Sequence, residues 1–277
     1  MNDTKRGSRQ HWHNLRWIDM GNTYFVGDVH GHLDKLTTLL RNAKLVDEKL
    51  RWIGQEATLC FMGDFVDRGP DGIGAIDFVM RLQHEAADAG GQVLAVLGNH
   101  DLIMVAVHFF PQAVLAYDGS TFLANWRRNG GKTSDLERLR VSHIDWLMQL
   151  PAMLTLGKLL VVHADAWFYT RYGRTIDEVN FVFHQLFEDK DTEGLDRLLE
   201  DFAERFTFRD FSRAAEFMQR YGDSRTRQII HGHTPITKMS GQASEMISTP
   251  YIYAEGLCIN MDGGMYLGSP GFVYRPE

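Results

Sequence analysis

Aspartate, histidine and asparagine gather in five short clusters along the chain: Asp28-x-His30, Asp64-x-x-Asp67-Arg68, Asn99-His100-Asp101, His163 and His231-x-His233. Carboxylate, imidazole and carboxamide groups without cysteine suit a hard to borderline divalent cation such as manganese, iron or zinc. Asn99 offers only a carbonyl oxygen, a weak ligand that makes sense inside a multi-ligand site. Two such cations about 3.5–4 Å apart form the usual clamp for in-line displacement at phosphorus. Each cluster alone has an ordinary explanation, since Asp and Asn after a strand cap helices and form turns. Together they do not. The string Gly63-Asp64-x-x-Asp67-Arg68-Gly69 arises by chance in a chain of this length roughly once in ten thousand at average residue usage, and it stands in order among four other metal-type clusters.

The elements that must position these residues are legible as apolar runs. Tyr24–Val26, Thr58–Met62 and Gln92–Leu97 read as strands, each running into one of the first three clusters and then into a helical pattern. Leu33, Leu36, Leu39 and Leu40 recur at helical spacing, and a second helix is predicted from about Ile73 to Ala89. These β-loop-α units put polar residues at the carboxyl ends of neighbouring strands, where α/β proteins bind ligands. Met153–Leu156 and Leu159–Val162 read as a hairpin ending in His163-Ala164-Asp165. Residues 175–220 read as mostly helical, and Gln228–Ile230 as a strand ending in His231-Gly232-His233-Thr234-Pro235. Tyr251–Ala254, Leu257–Met261 and Phe272–Tyr274 read as three more strands with Gly-rich turns. Two sheets flanked by helices accommodate this order.

With 277 residues, 44% of them hydrophobic, the chain is long and apolar enough for one large α/β domain over 1–277, and a disordered linker protein is excluded. Net charge is −7, which disfavours nonspecific binding to a phosphate backbone. Cys60 lies in an apolar run and Cys258 stands alone, so neither a disulfide framework nor a Cys-x-x-Cys zinc pattern exists. The start is polar and basic (Lys5, Arg6, Arg9) with no apolar stretch behind it, and runs such as Ile103–Val107 are too short to span a bilayer. The expectation is a cytoplasmic protein of a reducing compartment with no membrane partner. The acid-dense stretch from Glu188 to Asp201 reads as a solvated helix face, and His11, His13 and His84 as exposed residues.

The order GDVHG (27–31), GDFVDRG (63–69), GNHD (98–101), HAD (163–165) and HGHT (231–234) resembles the calcineurin-like binuclear metallophosphoesterases. More narrowly it resembles their phosphoprotein-phosphatase branch, whose bacterial members include protein phosphatases and symmetrical diadenosine-tetraphosphate hydrolases. Trp126-Arg127-Arg128-Asn129-Gly130-Gly131 and Ile259–Gly264 look like segments of the same branch. The resemblance implies a two-sheet β-sandwich flanked by helices, with helical rim segments at about 119–150 and 166–225. It implies that Asp28 and His30 bind a first metal, that Asp64 bridges both, and that Asn99, His163 and His233 complete the second. His100 would be the general acid, held by Asp67. Arg68 and Asn99 would bind phosphoryl oxygens, and a second arginine is expected between Arg205 and Arg227. There Arg209 has the most family-like context, Thr207-Phe208-Arg209-Asp210-Phe211. Manganese is the first expectation for both metals, with iron, zinc, nickel and cobalt as the other candidates.

The residues agree with such chemistry. Two cations make a bridging hydroxide available near neutral pH, a fork-shaped guanidinium neutralises equatorial oxygens, and an imidazole paired with a carboxylate can protonate an alkoxide. The leading reading is a phosphatase acting on phosphomonoesters such as phosphoserine or phosphothreonine in proteins. Asp67-Arg68 favours it, while Asn99-His100-Asp101 leans toward a dinucleoside polyphosphate hydrolase. A noncatalytic binding module would have lost ligands, and every expected position is filled. Asp165 reads as a cap of the segment that follows it, and a scaffold role for Arg68 would pair it with Asp71.

Overall fold

A computed structural model describes residues 20–276; the basic N-terminal residues and His11 and His13 lie outside the described residues. The first half builds a parallel sheet from β1 (Thr23–Val26), β2 (Thr58–Phe61) and β3 (Gln92–Ala95), connected through α1 (Leu33–Asn42) and α2 (Gly72–Asp88) and followed by α3 (Asn99–Phe109). The helices α4 (Phe122–Arg128), α5 (Thr133–Arg138) and α6 (Val141–Met148) come next. The hairpin β4 (Met153–Leu156) and β5 (Leu159–Val162) then opens the second sheet. After α7 (Ile176–Glu188), α8 (Thr192–Asp201) and α9 (Phe211–Tyr221), that sheet gains β6 (Gln228–His231). A short α10 (Ile236–Ser240) precedes β7 (Tyr251–Tyr253), β8 (Cys258–Asn260) and β9 (Val273–Tyr274). The sheet orders are β3-β2-β1-β9 and β4-β5-β6-β8-β7.

The strands alternate between two apolar cores, which explains their unbroken hydrophobic runs. Phe25, Cys60, Leu159, Val161, Ile230 and Ile259 pack in the layer shared by both sheets. Their neighbours Val26, Leu59, Phe61, Leu160 and Val162 face outward against the helices. The thiol of Cys60 is buried there, and burial pushes its pKa up, so it is an apolar filler rather than a nucleophile.

The three predicted C-terminal strands divide between the sheets. β8 pairs in parallel with β6, and β7 pairs antiparallel with β8, whereas β9 crosses over to pair antiparallel with β1. The stretch predicted as mostly helical over 175–220 breaks at Phe202–Asp210, where Phe206 is left-handed at φ 67°. The acid-dense stretch is also less uniform than predicted. Leu195 and Leu198 of α8 are buried, and so is Asp196, whose Oδ2 accepts the N–H of Ala116 at 2.7 Å. Among the described residues no helix is long and apolar enough to cross a membrane.

Candidate metal centre

Five strand ends deliver five clusters to one place. β1 leads to Asp28 and His30, β2 to Asp64, Asp67 and Arg68, and β3 to Asn99 and His100; β5 leads to His163, and β6 to His233. The loops are stitched by hydrogen bonds whose donors are backbone N–H groups. The N–H groups of Val29 and His30 donate to the carbonyl of Asp64 at 3.1 and 2.8 Å. Asp101 accepts from the N–H groups of Asp64, Phe65 and Gly98 at 2.8, 2.9 and 3.1 Å, and burial raises its pKa to about 7. Asp28 accepts the His233 N–H at 3.0 Å, joining the first loop to the last. Gly232 makes that join possible, because a Cβ there would lie 2.1 Å from Asp28 Oδ1. His30, Asp64, Asp67, Arg68 and His233 all have positive φ. Such backbone costs of order 1–3 kcal/mol per residue and persists where surroundings over-determine it.

Two groups of ligand atoms result, His30–Asp64–His100 and Asp64–His163–His233, all buried and each with its atoms within 4.8 Å of one another. Asp64 belongs to both: its Oδ2 lies 3.6 Å from His30 Nε2 and 3.5 Å from His163 Nε2. His30 Nδ1 donates to the Val66 carbonyl at 3.1 Å and His163 Nδ1 to the Met62 carbonyl at 2.6 Å, so each Nε2 turns its lone pair inward. The carbonyl oxygen of Asn99 lies 2.8 Å from His233 Nδ1 and 3.2 Å from His163 Nε2.

These residues fit divalent cations on observations of their own. Asp64 Oδ2 lies 3.5 Å from His163 Nε2, which lies 3.2 Å from His233 Nδ1, so carboxylate, imidazole and amide groups converge on one another around Asp64. Acceptors crowded in that way call for positive charge between them. The electrostatics agree. Burial works against a charged Asp64, yet His163 and His100 hold its pKa well below the usual range, and Asp64 in return raises that of His163 against its burial. Burial, followed by the neighbouring His100 and Arg205 respectively, drives the pKa values of His30 and His233 well below normal and keeps both neutral, the form that ligates. Burial, then Asp262 and Asp64, pushes Asp28 well up, the position of a carboxylate that lacks countercharge.

Beside the cluster, His100 Nδ1 is 2.7 Å from Asp67 Oδ2, and the other carboxylate oxygen accepts from Trp126 Nε1 at 2.6 Å. Arg68 donates through its two terminal nitrogens to His30 Nε2 and His100 Nε2, both at 2.8 Å, and its guanidinium lies over the Tyr266 ring at 4.0 Å. The predicted alternative partner Asp71 is engaged elsewhere: it caps α2 through Gly74 N–H and pairs with Arg138 at 2.6 Å.

Two expectations are corrected by the structure. Arg209 does not reach the cluster. It is exposed, donates to the carbonyls of Lys238 and Met239, and stacks over Phe206. Arg205 from the same window faces inward instead, donating to the His233 carbonyl and lining a cavity of about 200 Å³ with Asn99 and His100. Asp165 does not cap the segment after it. Its carboxylate accepts from Phe206 N–H at 2.8 Å and from the Thr234 hydroxyl, and so pins the turn that presents Arg205 to the loop that carries His233. His231 points away, bonded at 2.7 Å to the Tyr253 hydroxyl.

Sequence reasoning passed over Trp126, Tyr266 and Asp262 as site residues. The last is buried, with Oδ1 accepting from Gly264 N–H at 2.9 Å and Oδ2 unpartnered, and burial raises its pKa to about 6. A carboxylate within an Asn-x-Asp-Gly-Gly string was the available clue.

The family model of the calcineurin-like phosphoesterases matches residues 21–247. A Shewanella-like protein phosphatase 1 from Plasmodium berghei is 34% identical over 96 residues, 35% of this chain and 26% of that protein. A symmetrical bis(5'-nucleosyl)-tetraphosphatase from Shewanella sp. is 31% identical over 186 residues, 66% of this chain and 59% of that one. The chain therefore spans about a quarter of the first relative and less than two thirds of the second. Among solved structures, a cold-active protein tyrosine phosphatase aligns with a TM-score of 0.65 at 20% identity, covering 91% of this chain and 72% of that one, a likeness of fold.

Proposed function

Because the chain belongs to the calcineurin-like phosphoesterases and is a hydrolase of that family, we propose that it is a binuclear metal-dependent phosphatase that cleaves phosphomonoesters, with phosphoserine and phosphothreonine side chains of proteins as its substrate class. Asp28, His30 and Asp64 would hold one cation, and Asp64, Asn99, His163 and His233 the other, with manganese as the first candidate. When bound, the pair supplies an acidified water and offsets charge on the phosphoryl oxygens.

The chain's own residues do the rest. Arg68 offers two N–H groups on one edge, a fork that matches two phosphoryl oxygens and grips more firmly as charge grows on them. Tyr266 beneath the guanidinium keeps it flat against the cleft wall. Arg205, beside the His233 carbonyl, offers a second charge, and the Asn99 amide N–H₂ a neutral donor. Asp67 holds His100 by Nδ1, and once Arg68 turns its terminal N–H groups from the two imidazoles to the phosphoryl oxygens, Nε2 is free to carry a proton to the departing oxygen. The phosphoryl group goes to water, and no covalent phosphoenzyme is needed.

The observation that carries the choice of substrate class is the buried His100–Asp67 pair. An alkoxide is a poor leaving group and needs that proton, whereas a nucleoside diphosphate leaving from an anhydride does not. The second reading, dinucleoside polyphosphate hydrolysis, is supported by the tetraphosphatase relative and by Asn99-His100-Asp101. Purified protein supplied in turn with manganese, iron, zinc, nickel and cobalt, and assayed on a phosphoserine peptide and on diadenosine tetraphosphate, separates the two. The expected result is a kcat/KM at least about tenfold higher on the peptide; the reverse preference selects the second reading. No turnover of p-nitrophenyl phosphate with any of these metals would return the fold to a binding module.

A further inference from the structure

We infer that Trp126, on a helix outside the strand-end clusters, is a positioning residue for the general acid: its indole N–H fixes the Asp67 carboxylate, which in turn fixes His100. The inference rests on the reading of His100 as the acid. Trp126 and Asp67 are both fully buried, and the indole nitrogen meets Oδ1 at 2.6 Å while Oδ2 meets His100 Nδ1 at 2.7 Å. A carboxylate with one directed partner can rotate about its Cβ–Cγ bond. With a different directed partner on each oxygen it cannot, and its plane then dictates the plane of the imidazole.

The backbone beneath Asp67 needs such support. Asp67 and Arg68 lie in succession at φ 69° and 67°, a left-handed pair that non-glycine residues avoid. Two of the contacts that hold this pair come from one short stretch of chain. Trp126 takes the Asp67 side chain, and the Gly130 carbonyl accepts the Arg68 N–H at 2.8 Å. Gly130 sits at φ +100°, and a Cβ on it would fall 2.8 Å from Arg68 Cγ, so the stretch closes on the loop only with glycine there. A purely apolar side chain in place of the indole would fill the space and leave Oδ1 buried without a donor. The stretch from Trp126 to Gly130 thus belongs to the acid and the clamp, although nothing in it touches the metal ligands' own atoms in the contacts described above.

A leaving-group comparison tests the inference on the intact protein. Trp126→Phe keeps an aromatic ring and removes the N–H. It is expected to lower kcat on an alkyl phosphate by about 10-fold, part of the roughly 10²–10⁴-fold that a general acid supplies, and kcat on p-nitrophenyl phosphate by less than about twofold, since that leaving group barely needs a proton. In an Asp67→Asn background the same change should have almost no further effect, because the two act in series. Should Trp126→Phe fold poorly, benzothienylalanine at position 126, the sulfur isostere of tryptophan without the N–H, poses the same question. Equal losses on both substrates, or full additivity with Asp67→Asn, would make Trp126 a packing residue and overturn the inference. His100→Asn run alongside separates the two levels. If it too loses both substrates equally, the acid assignment and this inference fall together; if it shows the split and the Trp126 variants do not, the inference alone falls.

Discussion

Arg68, on His30 and His100, and Arg205, on the His233 carbonyl, reach the same cluster from opposite kinds of support. Arg68 stands three residues beyond Phe65 on the loop after a buried parallel strand, and its neighbours Asp64 and Asp67 are themselves site residues. Arg205 leaves the break between two surface helices, with Phe206 in left-handed backbone behind it and Asp165, distant in sequence, holding the turn. The strand-end loop is compact because the sheet already fixes where it starts, so several functional groups can share one short string. A helix break has no such frame, and one residue is delivered by contacts from elsewhere in the chain. Function written on strand ends is therefore contiguous in sequence, and function written on helix breaks is not.

The comparison breaks most thoroughly if its common floor is removed. Asp64→Asn should abolish nearly all activity and lower both metal equivalents, because one carboxylate lies against both histidine groups; elemental analysis that still finds two full equivalents would end the bridging assignment. Next in size is Arg68→Ala. A charged hydrogen bond of its kind is worth about 1.5–3 kcal/mol, so kcat/KM should fall by about 10- to 150-fold, with inorganic phosphate inhibiting more weakly and the melting temperature unchanged. Arg68→Lys keeps the charge without the fork and should recover only part. The smallest effects sharpen the contrast inside the helix break itself. Arg205→Ala should weaken phosphate inhibition by about 10-fold, at the low end of the same range, whereas Arg209→Ala should stay within about twofold as an exposed side chain. Phosphate inhibition constants on these two variants, measured side by side, would reverse the choice of arginine if the Arg209 variant were the weaker binder.

The same physics explains what the sequence disclosed. The clusters that hold Asp28, His30, Asp64, Asn99, His163 and His233 were legible because a short apolar run followed by a polar cluster marks a strand and its end, and the family resemblance singled out these residues within them. Asp67 and His100 were legible as a pair through the family resemblance, and the structure brings them to 2.7 Å. Arg205 was one of six arginines in a window read as helix, and only the left-handed turn at Phe206 singles it out. Arg209 had the more familiar neighbours but sits where α10 offers its carbonyls. Trp126 looked like core, which it is. Its one polar atom finds Asp67 across 59 positions of sequence, a distance over which no periodicity speaks. The division of the C-terminal strands was hidden for a related reason: short strands carry no mark of which sheet edge they join.

The proposed ligands come from both sheets, Asp28, His30, Asp64 and Asn99 from loops of the first and His163 and His233 from loops of the second. The layer between the sheets is apolar packing, which holds strongly but without direction, and bonds such as those of Asp28 with the His233 N–H and of His163 with the Met62 carbonyl join the loops at its end. A cation shared by the two sets of loops, as proposed above for Asp64, Asn99, His163 and His233, would be a rivet through that seam, driven only when the halves are in register. By mass action, any ligand that binds the folded arrangement alone adds about 2.7 kcal/mol when present at a hundred times its dissociation constant, a large fraction of what a domain usually has to spare. On the proposed assignment the supply of metal would govern two things at once: how fast each folded molecule turns over, and how many molecules are folded at all.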